Sequence, residues 1–176
     1  MASLTSAGLI DAPGHVIKTT FKNLESTTDI VIDQNSYEDS GIEIAHVTAR
    51  SSADSVLRYD WWVGMNWQQT AGEILSQTIT MRTVSNSTYT SGEQITNNSY
   101  PTYDKASNQA NNYGVRFLRF YCGLESGMGM PATKTSWAAG DTLYFRMFGK
   151  TSSGNTSRVI HASSSYNLSI TEIERA

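Results

Sequence analysis

The sequence predicts an all-β protein, and three observations predict it. First, Thr, Val, Ile and Tyr are abundant while the strong helix formers are scarce, which favours strands over long helices. Second, apolar residues recur with a period of two in several separated stretches, the mark of strands half-buried on a sheet. Third, polarity is carried by hydroxyls and amides. Ser and Thr number 43 and Asn 11, while charged residues make up only 16% of the 176. With 4 Trp, 9 Tyr and 5 Phe the chain has ring surface enough for a packed core, which separates it from disordered chains.

The elements follow in order. Residues 1–14 are small and polar around Leu4, Leu9 and Ile10 and read as an arm closed by Pro13-Gly14. Residues 15–176 read as a single domain. HVIKTTF (15–21) and TDIVIDQ (28–34) are β-branched and strand-like. GIEIAHVTA (41–49) alternates Ile42 and Ile44 against Glu43 and Ala45. In DSVLRYDWWVGMNW (54–67), Leu57, Tyr59, Trp61 and Val63 form a continuous apolar face and are assigned to the core. Arg58 and Asp60 share the opposite face as a surface pair. EILSQTITMRTV (73–84) is a further strand, and YGVRFLRFYCGL (113–124) one that is apolar on both faces, as expected of a sandwich core or a subunit interface. Near the end, Leu143, Phe145 and Met147 alternate against Tyr144, Arg146 and Phe148. Gly154-Asn155 marks a turn, and Tyr166, Leu168, Ile170 and Glu172 oppose Asn167, Ser169, Thr171 and Ile173. About eight to ten strands at this spacing imply an antiparallel β-sandwich, with a jelly roll the preferred topology.

Residues 85–112 break the pattern, with few aliphatic residues and a Tyr, Asn, Ser and Gly mixture. Two readings stand: a long crossover between sheets, or a recognition surface. In the second, Tyr89, Tyr100 and Tyr103 would stack on a sugar and Asn97 and Asn98 would hydrogen-bond it. The same tyrosines equally suit packing on a neighbouring subunit. Met128 and Met130, in a Gly/Met/Pro loop, suit contact with another chain.

Catalytic signatures are missing from the sequence. His15, His46 and His161 are dispersed, without metal-ligand spacing. GxSxG, HExxH and the phosphate-binding loop do not occur. Asp60, Glu73, Asp104 and Asp141 are carboxylates at strand ends or in loops, and Asp141 reads first as a turn residue. Cys122, the single cysteine, lies in an apolar run and is expected to be a buried, inert thiol. Net charge is -3, which draws the molecule to neither nucleic acid nor anionic membrane. No run approaches the roughly 20 apolar residues of a membrane span, and the N-terminus lacks a signal peptide's pattern. The expectation is a non-enzymatic protein without metal or cofactor, made in the cytoplasm.

Three stretches resemble a known family. PGHVIKTTF is similar to the opening strand of small marine-phage (cyanophage-like) structural proteins, roughly PGHVIQV. AAGDTLYFRMFGKTSSG through SSSYNLSITEIE is similar to their close, and ARSSADSVLRYDWWVGM resembles their SSKILV strand, with Asp-Ser-Val-Leu in place of the Lys-Ile-Leu-Val core. These stretches cover under half of the chain. The resemblance implies a jelly-roll domain similar to complement C1q and tumour-necrosis-factor-like trimers, carried on a virion as a tail or head fibre or as a capsid decoration protein. Residues 1–14 would dock on other virion proteins and the β domain would project outward. The aromatic excess of Phe117, Phe120, Tyr121, Tyr144 and Phe148 would then line, in part, a threefold axis.

Overall fold

Among the described residues ten strands pair antiparallel, and most of their limits follow the apolar periodicity. The computed structural model describes residues 14–25, 30–67, 74–93, 95, 100–104, 112–122, 136–151, 157–160 and 165–175. The strands are β1 (Val16–Glu25), β2 (Ile30–Ile32), β3 (Glu38–Val47), β4 (Ser55–Trp67), β5 (Ile74–Arg82), β6 (Tyr100–Asp104), β7 (Asn112–Cys122), β8 (Thr142–Thr151), β9 (Ser157–Ile160) and β10 (Ser165–Glu174). They form a four-stranded sheet of order β1-β10-β4-β7, a second of order β3-β8-β5-β6, and a two-stranded ribbon of β2 and β9. With the ribbon set aside, the chain passes back and forth between the sheets. Its first and last strands lie side by side, with Phe21 opposite Ser169.

The two sheets bury their inner faces against each other. The first contributes Leu57, Tyr59, Trp61, Cys122, Leu168 and Ile170; the second contributes Ile42, Ile44, Ile79, Met81, Leu143, Phe145 and Met147. Across the interface the Tyr59 ring stacks on Phe145 with centroids 5.9 Å apart, and Trp61 lies 5.8 Å from Tyr59 along the same strand. Leu57, Tyr59 and Trp61 are the core face that alternation assigns, and Trp62, one residue on, is half exposed. Ile32 of the ribbon enters the core over Gly149, where a methyl group would lie 3.1 Å from Ile32 Cγ1. Cys122 is buried, and burial pushes its thiol up to about 12, so it is protonated and unreactive at neutral pH.

Polar groups lock the frame at two places. Glu172, wholly buried, accepts hydrogen bonds from the Ala49 and Arg50 backbone N–H groups, each at 2.7 Å, and from Ser55 Oγ at 3.0 Å. His46 Nε2 lies 3.5 Å away, while His46 Nδ1 meets Thr20 Oγ1 at 3.0 Å. Burial pulls the Glu172 carboxyl up, but hydrogen bonds involving His46, Ala49, Arg50 and Ser55 outweigh it and hold the carboxyl below its ordinary value. On the second sheet, Gly41 at φ 71 marks a register shift in β3 between Asp39 and Glu43. That irregularity brings both carboxylates onto Arg146, at 2.5 and 3.1 Å. The hydrogen bond with Asp39 in particular holds the Arg146 guanidinium above its ordinary value.

The excursion at 85–112 is more regular than its composition predicts. It holds a 3-10 turn at Ser91–Glu93 and strand β6, which pairs with β5 through Ile74–Asp104 and Gln77–Tyr100. Backbone pairing needs no aliphatic side chains, so the apolar period is silent there. Arg82 secures the start of the excursion. Its Nε lies 2.6 Å from Glu93 Oε2, and its terminal nitrogens donate to the carbonyls of Asn86 and Thr88.

Candidate functional site

The outer face of the β1-β10-β4-β7 sheet carries an open trough of about 820 Å³. Strand register builds it as three cross-strand rows. Thr19, Thr171 and Arg58 stand in the first; Phe21, Ser169, Asp60 and Arg119 in the second; Asn23, Asn167 and Trp62 in the third. The inner strand β10 supplies short polar side chains (Asn167, Ser169 and Thr171), while the large ones, Phe21, Arg58 and Trp62, stand on the strands to either side. The depression follows from that difference in size. Phe21 is 73% exposed and Trp62 51%. Three of the six exposed large apolar residues among the described ones, Val16, Phe21 and Trp62, line this trough.

A charged trio crosses the second and first rows. Asp60 Oδ1 accepts from Arg119 Nε at 2.5 Å, and Oδ2 lies 2.9 Å from Arg58 Nε. The hydrogen bond that Arg119 donates to Asp60 holds its guanidinium above its ordinary value. The Arg58–Asp60 surface pair is therefore present, but as part of a trio. The strand β7 partner was invisible to local spacing, because Asp60 and Arg119 are brought opposite each other by sheet pairing. Alternation along YGVRFLRFYCGL puts Arg119 on the face opposite Cys122, but each face carries one Arg and is otherwise apolar, so periodicity does not say which face is outward.

The structure redistributes the residues proposed from sequence. Tyr89 packs within this chain: its ring lies tilted against Tyr37 at 4.5 Å and meets Phe148 edge-on at 5.6 Å. Burial there raises its phenol. Phe148 is wholly buried, with Arg82 5.8 Å from its ring centre, so this chain itself covers it and it is no subunit contact. The correction has a simple cause. Phe148 is on the outer face of β8, as periodicity says, but the excursion folds back over that face. Tyr121 and Tyr144 are partly buried. Tyr100, Tyr103, Phe117 and Phe120 are placed on strands β6 and β7 by backbone register, opposite Gln77, Leu75, Trp62 and Tyr59. Leu4, Leu9, Ile10, Asn97, Asn98, Met128, Met130 and His161 lie outside the described residues. Asp141 Oδ2 accepts the Ala138 N–H at 2.8 Å, as a turn residue. Among the described residues no group of three His, Cys, Asp or Glu side chains is placed to hold a metal.

No protein-family profile and no curated protein sequence matches the chain. Among solved structures, the chain is similar to the VP2 subviral particle of infectious bursal disease virus, at TM-score 0.29 and 9% identity over 92% of this chain and 42% of that one. It is also similar to the structure of the Gx strain of the same virus, at TM-score 0.33 and 9% identity over 91% of this chain and 42% of that one. The chain thus spans less than half the length of the viral chains with which it aligns.

Proposed function

We propose that the chain is a virion structural protein: a jelly-roll module that assembles as a homotrimer, docks on the particle through residues 1–14 and faces outward as a fibre or appendage. The observation that carries the reading is the strand order. Without the short ribbon, eight strands run 1-8-3-6 in one sheet and 2-7-4-5 in the other, the arrangement expected of two Greek keys folded into a jelly roll. The resemblance of the first strand and of the closing strands to phage structural proteins adds the virion setting. Strands β1 and β7 edge one sheet and β3 and β6 the other, and association of copies is a physical means of covering such edges. In this reading the chain works by shape and contact, without catalysis, metal or cofactor, and its outward surface contributes to host-surface recognition. Capsid decoration is the neighbouring role for the same architecture, and a lectin-like module the more distant one.

The test is the solution mass of the purified chain, followed by antibody labelling of intact particles. A species near three times 19.4 kDa is expected, with label at the fibre. A monodisperse monomer would remove the trimer. Label spread evenly over the capsid would assign decoration instead, and unlabelled particles would remove the virion role.

A further inference from the structure

We infer that the trough on the outer face of β1-β10-β4-β7 binds an acidic oligosaccharide, with Trp62 and Phe21 as stacking platforms and the Arg58–Asp60–Arg119 trio as the anion-selective edge. A sugar ring presents an apolar C–H face and a rim of hydroxyls, so its site needs aromatic faces beside short polar groups. The trough has that composition. Phe21 is mostly and Trp62 about half exposed, and Asn167, Ser169 and Thr171 form the floor between them. Phe21 and Trp62 are two strands and one row apart, about 12 Å at usual strand and residue spacings. Such a separation suits a short chain of sugars better than one ring. An open trough, unlike a closed cavity, also admits a polymer segment lying across it.

Charge selects the class of sugar. Three of the lining residues are charged, two guanidiniums against one carboxylate, so the trough holds a local excess of one positive charge in a chain of net charge -3. Asp60 accepts a hydrogen bond from Arg119 Nε and lies within ion-pair distance of Arg58 Nε, and a guanidinium carries five N–H donors in a planar fork suited to carboxylate or sulfate. Docking of a second copy face to face fits less well. Two-fold contact would oppose the like-charged trios and cover a floor of hydroxyls and amides.

The inference deepens the host-recognition part of the proposed function and rests on it, while the measurement requires only the purified full-length protein. Calorimetric titration would use three probes: oligogalacturonate for carboxylate, a chondroitin sulfate hexasaccharide for sulfate together with carboxylate, and neutral cellohexaose. Saturable binding of at least one acidic probe, tenfold or more tighter than cellohexaose, is expected. Trp62→Ala and Ser169→Trp should each weaken it at least tenfold, the first by removing a platform and the second by filling the floor. Arg119→Gln, at the exposed end of the trio, should erase the preference for acidic over neutral sugar. Thermal unfolding and solution mass of each variant must match the parent; a variant that fails this check is replaced by Thr171→Trp on the same floor. Equal binding of cellohexaose would overturn the anionic class. No binding of any probe, or binding untouched by the variants, would overturn the site. A sugar-binding monomer would sink the trimer and leave the site standing, whereas a trimer that binds no probe would do the reverse.

Discussion

Buried polar side chains set the sharpest constraints on individual residues. Glu172 is wholly buried, yet its carboxylate is met by donors from the 49–50 turn and Ser55, with His46 Nε2 3.5 Å away. Its folded value is held below the ordinary carboxylate value of 4.5, so its contribution to stability is complete above about that pH and falls away as the pH drops through the folded value. Chemical unfolding followed between pH 7 and pH 3 should therefore show an acid limb that flattens in Glu172→Gln. Glu172→Ala, which strands several buried donors, should cost about 3 kcal/mol or more at neutral pH. Gln77 is the opposite case. Both side-chain amide atoms are buried without a hydrogen-bond partner, on a strand whose next inward residue is Ile79. Gln77→Met keeps the shape and removes the desolvation cost. It should stabilise by about 1 kcal/mol, read as a rise of about 2–4 °C in melting temperature.

At the scale of elements, two segments depend on one residue each. Gly149 leaves the space that Ile32 fills, so β8 supports the β2–β9 ribbon through a missing side chain. Gly149→Val should overpack this site and destabilise by about 1–3 kcal/mol, measured by denaturant titration. A paired Ile32→Ala should recover part of the loss if the two side chains compete for one volume. Arg82, at the end of β5, ties Glu93 and the carbonyls of Asn86 and Thr88 to the outer face of the second sheet. Arg82→Ala should release residues 86–93, seen as new protease cleavage within that stretch while the parent chain stays intact, and should cost about 3 kcal/mol because Arg82 is almost fully buried.

For the whole molecule, the decisive fact is that β10 lies between β1 and β4, joining the two ends of the chain in one sheet. Deletion of 165–176 should therefore leave the remainder unable to fold, with loss of the near-ultraviolet aromatic signal, instead of a slightly trimmed domain. Pairing over such sequence distances also predicts folding on the millisecond-to-second scale, as in other sandwiches, measurable by stopped-flow tryptophan fluorescence.

Much of this architecture is legible in the residues alone. A period of two needs no tertiary information, since side chains alternate across any strand, and it places Leu57, Tyr59, Trp61, Leu143, Phe145, Met147, Leu168 and Ile170 inward. The all-β class and the approximate strand limits follow from the same pattern. What periodicity lacks is the identity of each strand's neighbour. Only sheet pairing puts Asp60 between two arginines, sets Asn167, Ser169 and Thr171 as the floor between Phe21 and Trp62, and draws Glu172 beneath the 49–50 turn. Only the fold of the excursion turns Tyr89 and Phe148 from apparent surface aromatics into a covered cluster. Alternation is a property of the local backbone, whereas a site is made by strands far apart in the chain, and tertiary structure alone decides which of them meet.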